Sequence, residues 1–223
     1  DESESRGLGD VYKRQGLLCR CYLGTSENDS MPTGQDKPTL LIITGPQGSG
    51  NHLFSKIFAI HKEVLGWSAL LDAHWLGHSE EMFQPLWHDT DKIKDFDWTQ
   101  SKYFVTSIST PYVLNKQHAV PNYKEFITKA KAHANIIVGI IGRDKTILKY
   151  QQARVRRGDH TTPQAVEEFS GLSDLADTFY LSQELFYLYG KDYLENICKM
   201  TNFPIDYNLS LIHISEPTRL GFI

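Results

Sequence analysis

Thr39-Leu40-Leu41-Ile42-Ile43-Thr44-Gly45-Pro46-Gln47-Gly48-Ser49-Gly50-Asn51-His52-Leu53 is the stretch on which the fold turns. Its first six residues form an unbroken apolar run rich in β-branched side chains. Such a run reads as a strand buried on both faces of a parallel sheet. A glycine-rich turn follows. The segment from Asn51 to Leu65 then reads as a helix, with Leu53, Ile57, Ile60 and Val64 along one apolar side. A glycine-rich turn between a buried strand and a helix lets backbone N–H groups surround an anion at the helix N-terminus.

The same alternation continues downstream. Trp67–Leu71 reads as a short second strand, residues 72–100 as irregular, and Tyr103–Ile108 as a third strand. Tyr123–Ala134 reads as a helix, Asn135–Ile141 as the clearest buried strand, and Thr146–Arg157 as a helix. A polar loop with a short helix covers 158–172, Thr178–Leu181 is a short strand, and Gly190–Thr201 a closing helix. This rhythm predicts a three-layer α/β P-loop fold, with a mostly parallel, doubly wound sheet flanked by helices. Ligands of such sheets sit beyond the carboxyl ends of the strands.

The two ends read differently. Asp10–Gln15 and Leu209–Arg219 resemble sequencing-adaptor DNA translated in frame, of the kind that contaminates metagenomic assemblies. Met31 reads as a natural start. The expected organisation is therefore a non-native or disordered leader over 1–30, one P-loop domain over 31–208, and an artefactual tail over 209–223. Cys198 is then the only cysteine of the domain, at core spacing in a helix, which suits a reducing, cytoplasmic setting. The net charge of −4 argues against nonspecific nucleic-acid binding. No apolar run reaches the length of a membrane span.

The Walker A pattern G-x-x-x-x-G-K-[ST] is matched only in its glycines, Gly45 and Gly50. Asn51 replaces the lysine and His52 the metal-binding hydroxyl, which argues against ordinary ATP or GTP hydrolysis. A tight strand–helix turn without a ligand is the bland alternative.

The segment Gly45-Pro46-Gln47-Gly48-Ser49-Gly50-Asn51-His52-Leu53 resembles the 5′-phosphosulfate loop of sulfotransferases, roughly G-x-P-[RK]-S-G-[TN]-[TS]-[LW]. Ser49, Gly50, Asn51 and Leu53 match. Gly48 stands in place of the basic residue and His52 in place of a hydroxyl. Asn135–Asp144 resembles the strand leading to that family's 3′-phosphate site, with Lys145 in place of its proline and Gln151 in place of its serine. Phe179–Leu185, continuing to Phe203-Pro204, resembles the family's closing strand, turn and helix. Residues 72–134 match poorly. The resemblance implies 3′-phosphoadenosine 5′-phosphosulfate (PAPS) as donor. It further implies that Gly45, Gly48, Ser49, Gly50, Asn51 and His52 hold the 5′ end, while Arg143 and Gln151 serve the 3′-phosphate. No metal is required. Lys149 and Arg156 fit a solvated basic helix face better than a role in binding.

A hydroxyl acceptor needs a base. The family's histidine after the third strand is absent from Val105–Pro111, so candidates come from 72–91: Asp72, His74, His78, Glu80, Glu81, His88 and Asp89. His74 and His78 lie four apart and are the catalytic candidates. A metal site with Asp72 or His88 and an ordinary polar insert remain alternatives. Trp75, Trp87, Trp98 and Tyr112 could line a sugar or phenol pocket, or belong to the core. A degenerate P-loop nucleotide-binding protein or nucleotide kinase relative is the competing function, with Arg154, Arg156 and Arg157 available for a lid.

Overall fold

Leu40 and Ile42 face one layer of the molecule, and Leu41 and Ile43 face the other. This period-two alternation in an all-apolar strand requires cover on both faces of the sheet. The structure is a computed structural model and describes residues 37–71, 76, 81–114, 117–156 and 162–206, without the side chains of 113, 114, 117, 154–156 and 164. All of these belong to one unit, Asp36–Ile223.

The elements are β1 (Thr39–Pro46), α1 (Asn51–Ala59), β2 (Val64–Leu65), α2 (Gln84–His88), β3 (Tyr103–Thr110), β4 (Tyr112–Leu114), β5 (Gln117–Ala119), α3 (Tyr123–Ala130), β6 (Asn135–Gly142), α4 (Lys145–Arg156), α5 (Thr162–Phe169), α6 (Leu172–Leu175), β7 (Asp177–Ser182) and α7 (Gln183–Thr201). Short 3₁₀ turns span Ser68–Leu71 and Thr90–Asp95. The main sheet runs β2-β3-β1-β6-β7, parallel throughout. β4 and β5 form a separate antiparallel hairpin. The predicted three-layer α/β architecture is therefore the observed one. β1 is central, and the chain leaves it first towards β2 and β3 and later towards β6 and β7. Its carboxyl end is thus the point where the winding reverses.

One layer packs α2, α3 and α6 through Trp87, Phe126 and Leu172, with Phe83, Ile93 and Trp98 from the connecting segment. The opposite layer packs α1 and α7 through Phe54, Ile57, Phe58, Phe186, Leu194 and Ile197. Trp87 stacks on Phe126 at 3.7 Å and donates its indole N–H to Thr106 Oγ1. Trp98 is 8 % exposed and donates to the Ile93 carbonyl. Both tryptophans are core residues.

Several boundaries differ from expectation. The first helix stops at Ala59, because Val64 and Leu65 pair with Tyr103 and Phe104 as the second strand. The Trp67–Leu71 region is a 3₁₀ turn. The 72–100 region contains α2 and a second 3₁₀ turn, which Asp89 caps by accepting from the Asp91 N–H. The closing helix begins at Gln183, where Ser182 Oγ accepts from the Leu185 N–H, and it breaks at Gly190 (φ 48°, ψ −115°). Gly190–Thr201 is therefore its second half. α3 starts with a reciprocal cap: Asn122 accepts from the Glu125 N–H and donates to its carboxylate.

Candidate functional site: the loop after β1

The loop after β1 begins as a tight turn. The Ser49 N–H donates to the Pro46 carbonyl at 3.0 Å, and Gly48, the third residue of that turn, has φ +86°. A type II turn needs this left-handed conformation at that position, which is why a glycine stands there. Gly50 (φ +114°) then caps α1 without any side-chain cap. The first helical bond runs from the Phe54 N–H to the Gly50 carbonyl. The preceding N–H groups, through Leu53, have no partner within the helix, and they sit at its positive end. A Cβ at Gly45 would lie 2.4 Å from Ser49 Oγ, so the start of the loop is packed to the limit.

Side chains from distant elements fix the loop from outside. Arg143 Nη1 donates to the Gly48 carbonyl at 2.7 Å and to Gln151 Oε1. Gln152 Nε2 donates to the Gln47 carbonyl at 2.9 Å, and its Oε1 accepts from Thr162. Asn51 Nδ2 reaches Ser109 Oγ on β3 at 2.8 Å. Gln183, the first residue of α7, lies against Gly50, with Oε1 3.3 Å from where a Cβ would be. Of the sequence candidates, Gly45, Gly48, Ser49, Gly50, Asn51, His52, Arg143 and Gln151 thus lie on or against this one loop. Gln152, Gln183 and Ser109 join them and were not singled out. Their contacts span long sequence separations, for which local pattern carries no signal.

Several polar atoms here are buried and unpaired: Ser49 Oγ, Gln47 Oε1, Asn51 Oδ1, Gln183 Oε1 and Arg143 Nε. Ser49 is wholly buried. Buried polar groups without partners are rare and costly. The bonded partners of the Asn51 and Gln183 amides are hydroxyls, Ser109 and Tyr187. A hydroxyl can donate or accept, so either amide can turn its NH₂ outward at little cost.

His52 Nε2 lies 3.1 Å from the Leu76 carbonyl, and its ring packs against Trp67 at 5.1 Å. Burial holds its pKa below the ordinary histidine value, with the neighbouring Lys56 charge acting in the same direction. Neutral His52 therefore donates from Nε2. His74, His78, Asp72, Trp75 and Glu80 lie outside the described residues, as do the side chains of Arg154 and Arg156 and all of Arg157. Between the two histidines only Leu76 is described, and its carbonyl meets His52 at the edge of the loop. His88 packs on Tyr112, and Asp89 caps the 3₁₀ turn. Among the described residues no group of three or more His, Cys, Asp or Glu gathers in a metal-binding arrangement.

Glu81 is the other unusual group. It is 2 % exposed, and burial pushes its carboxyl up to about 8, against the lowering effect of bonds with Thr106 and the backbone of Phe83, Ser107 and Gln84. β2 pairs with β3 only as far as Phe104, so Glu81 meets the β3 edge where no strand covers it. At the opposite side of the site, Asp144 caps α4 by accepting from the Thr146 and Ile147 N–H groups, and Glu184 accepts from the Asp144 N–H. The segment after β6 and the start of α7 are therefore tied together.

No known protein family matches the chain, and no curated protein matches it. Among solved structures it is similar to a sugar kinase from Janibacter sp. HTCC2649, determined without ligand, at 11 % identity and a TM-score of 0.33, over 74 % of this chain and 95 % of that one. A likeness this loose bears on neither fold nor function. Among the described residues no helix is long and apolar enough to cross a membrane.

Proposed function

We propose that this protein is a sulfotransferase-like transferase. The Gly45–Leu53 loop receives the phosphosulfate end of PAPS, and the sulfuryl group passes to a hydroxyl of a sugar or other small-molecule acceptor. One observation carries the reading. An uncapped helix N-terminus stands at the carboxyl end of the central strand, beside side chains with buried polar atoms that lack partners. Helix dipole and free N–H groups favour an anion there. The loop has no lysine at Asn51, which favours a donor that needs no magnesium-bound triphosphate. His74 and His78 are the proposed bases, supported by the approach of Leu76 to His52. A cytoplasmic setting goes with this reading, supported by the free thiol of Cys198.

A degenerate P-loop nucleotide-binding protein or nucleotide kinase relative is the second reading, favoured by the Walker-type spacing of Gly45 and Gly50. Calorimetric titration separates the two. Adenosine 3′,5′-bisphosphate should bind more tightly than 5′-AMP and than ATP with magnesium. Equal affinity for the bisphosphate and 5′-AMP would remove the sulfotransferase reading, and tighter binding of ATP with magnesium would favour the second.

A further inference from the structure

A loop that holds an oxyanion needs positive charge, yet 45–53 contains neither lysine nor arginine. The turn explains why Gly48 cannot supply it. Its φ of +86° disfavours any side chain, and a Cβ there would meet Gln151 Cγ at 3.4 Å. The guanidinium of Arg143 lies against this same residue, at 2.7 Å from its carbonyl. Arg143 is half-buried, forms no ion pair among the described residues, and keeps Nε buried without a partner. A guanidinium with a buried, unused N–H and no carboxylate beside it is an incomplete site that an anion completes.

We propose that Arg143, reaching from the end of β6 to Gly48, supplies the charge for the oxyanion held at the loop, in place of the basic side chain the loop lacks. The ligand class is a phosphate or sulfate group at the 5′ end of a nucleotide. This inference rests on the loop being an anion site, and it moves Arg143 from the 3′-phosphate to the loop. Gln151 orients the guanidinium through its Oε1.

The test uses the full chain and two ligands, pyrophosphate and adenosine 3′,5′-bisphosphate. Pyrophosphate has no 3′-phosphate and probes the loop alone. Arg143→Gln keeps a polar side chain but loses the charge, and Arg143→Lys keeps the charge. Arg143→Gln should weaken both ligands by the same factor, roughly ten- to a hundredfold, with Arg143→Lys recovering part of the loss. Weakening of the bisphosphate alone would return Arg143 to the 3′-phosphate and overturn the inference. Unchanged affinities with a lowered melting temperature would make it a loop tether only. A wild-type chain that binds neither ligand would overturn both the inference and the proposed function.

Discussion

Glu81→Gln tests the physics of the site without any ligand. The Glu81 carboxyl is buried against the β3 edge, and its pKa rises from 4.5 to about 8. Desolvation is the largest cause, since water no longer supports the ionised form. Between these two values the folded chain holds a proton that the unfolded chain has released. Folding therefore takes up a proton, and stability falls as pH rises from about 4.5 to about 8 and levels off above. At about 1.4 kcal/mol per pH decade the full span amounts to about 5 kcal/mol, an upper bound, since local opening limits the loss. A loss of about 2–4 kcal/mol is expected. Glutamine has the same shape, stays neutral, and can still accept the hydrogen bond from Thr106. Urea unfolding at about pH 5 and about pH 9 should give similar stabilities for wild type and variant at the lower pH. The variant should be the more stable at the higher pH, by roughly 2–4 kcal/mol. A difference between the two proteins that does not change with pH would refute the argument, as would a wild type that stays the more stable in alkali.

Two further outcomes follow from the packing. Gly50→Val places a branched side chain at φ +114° and 3.3 Å from Gln183 Oε1; it should destabilise by about 1–3 kcal/mol and abolish pyrophosphate binding, and a folded variant with unaltered affinity would remove the loop from the site. Trp87→Ala removes the ring stacked on Phe126 and the donor to Thr106; a loss of about 3–5 kcal/mol in urea unfolding is expected, and a loss under about 1 kcal/mol would show that Trp87 is no core residue.

The strands at 103, 135 and 177 were legible because a buried parallel strand is a short apolar run bounded by turn residues. The extent of α1 was not. Val64 continues the helical period of Leu53, Ile57 and Ile60, but pairing with Tyr103 converts it to a strand, and tertiary pairing overrides local propensity. The aromatic residues of 72–112 looked equally suited to a pocket or a core, because composition does not say which face a ring occupies. The glycines of the loop announced an anion site by their spacing. Its outer clamp did not. Gln152 reaches Gln47 across 105 positions and Arg143 reaches Gly48 across 95, and only folding brings them together. The Arg143-Asp144 pair illustrates the ambiguity of a motif. Asp144 is accounted for by capping α4, so only the arginine is left to argue for a ligand.

The loop is the direct continuation of β1, which has a strand on each edge and a helical layer on each face. Amides in such a strand exchange with solvent hydrogen only in the rarest openings, those that dissolve the whole sheet. A molecule seated on this loop would therefore slow exchange at β1, β3 and β6 together, far beyond the atoms it touches. Occupancy would be readable as a uniform change in amide protection across the sheet.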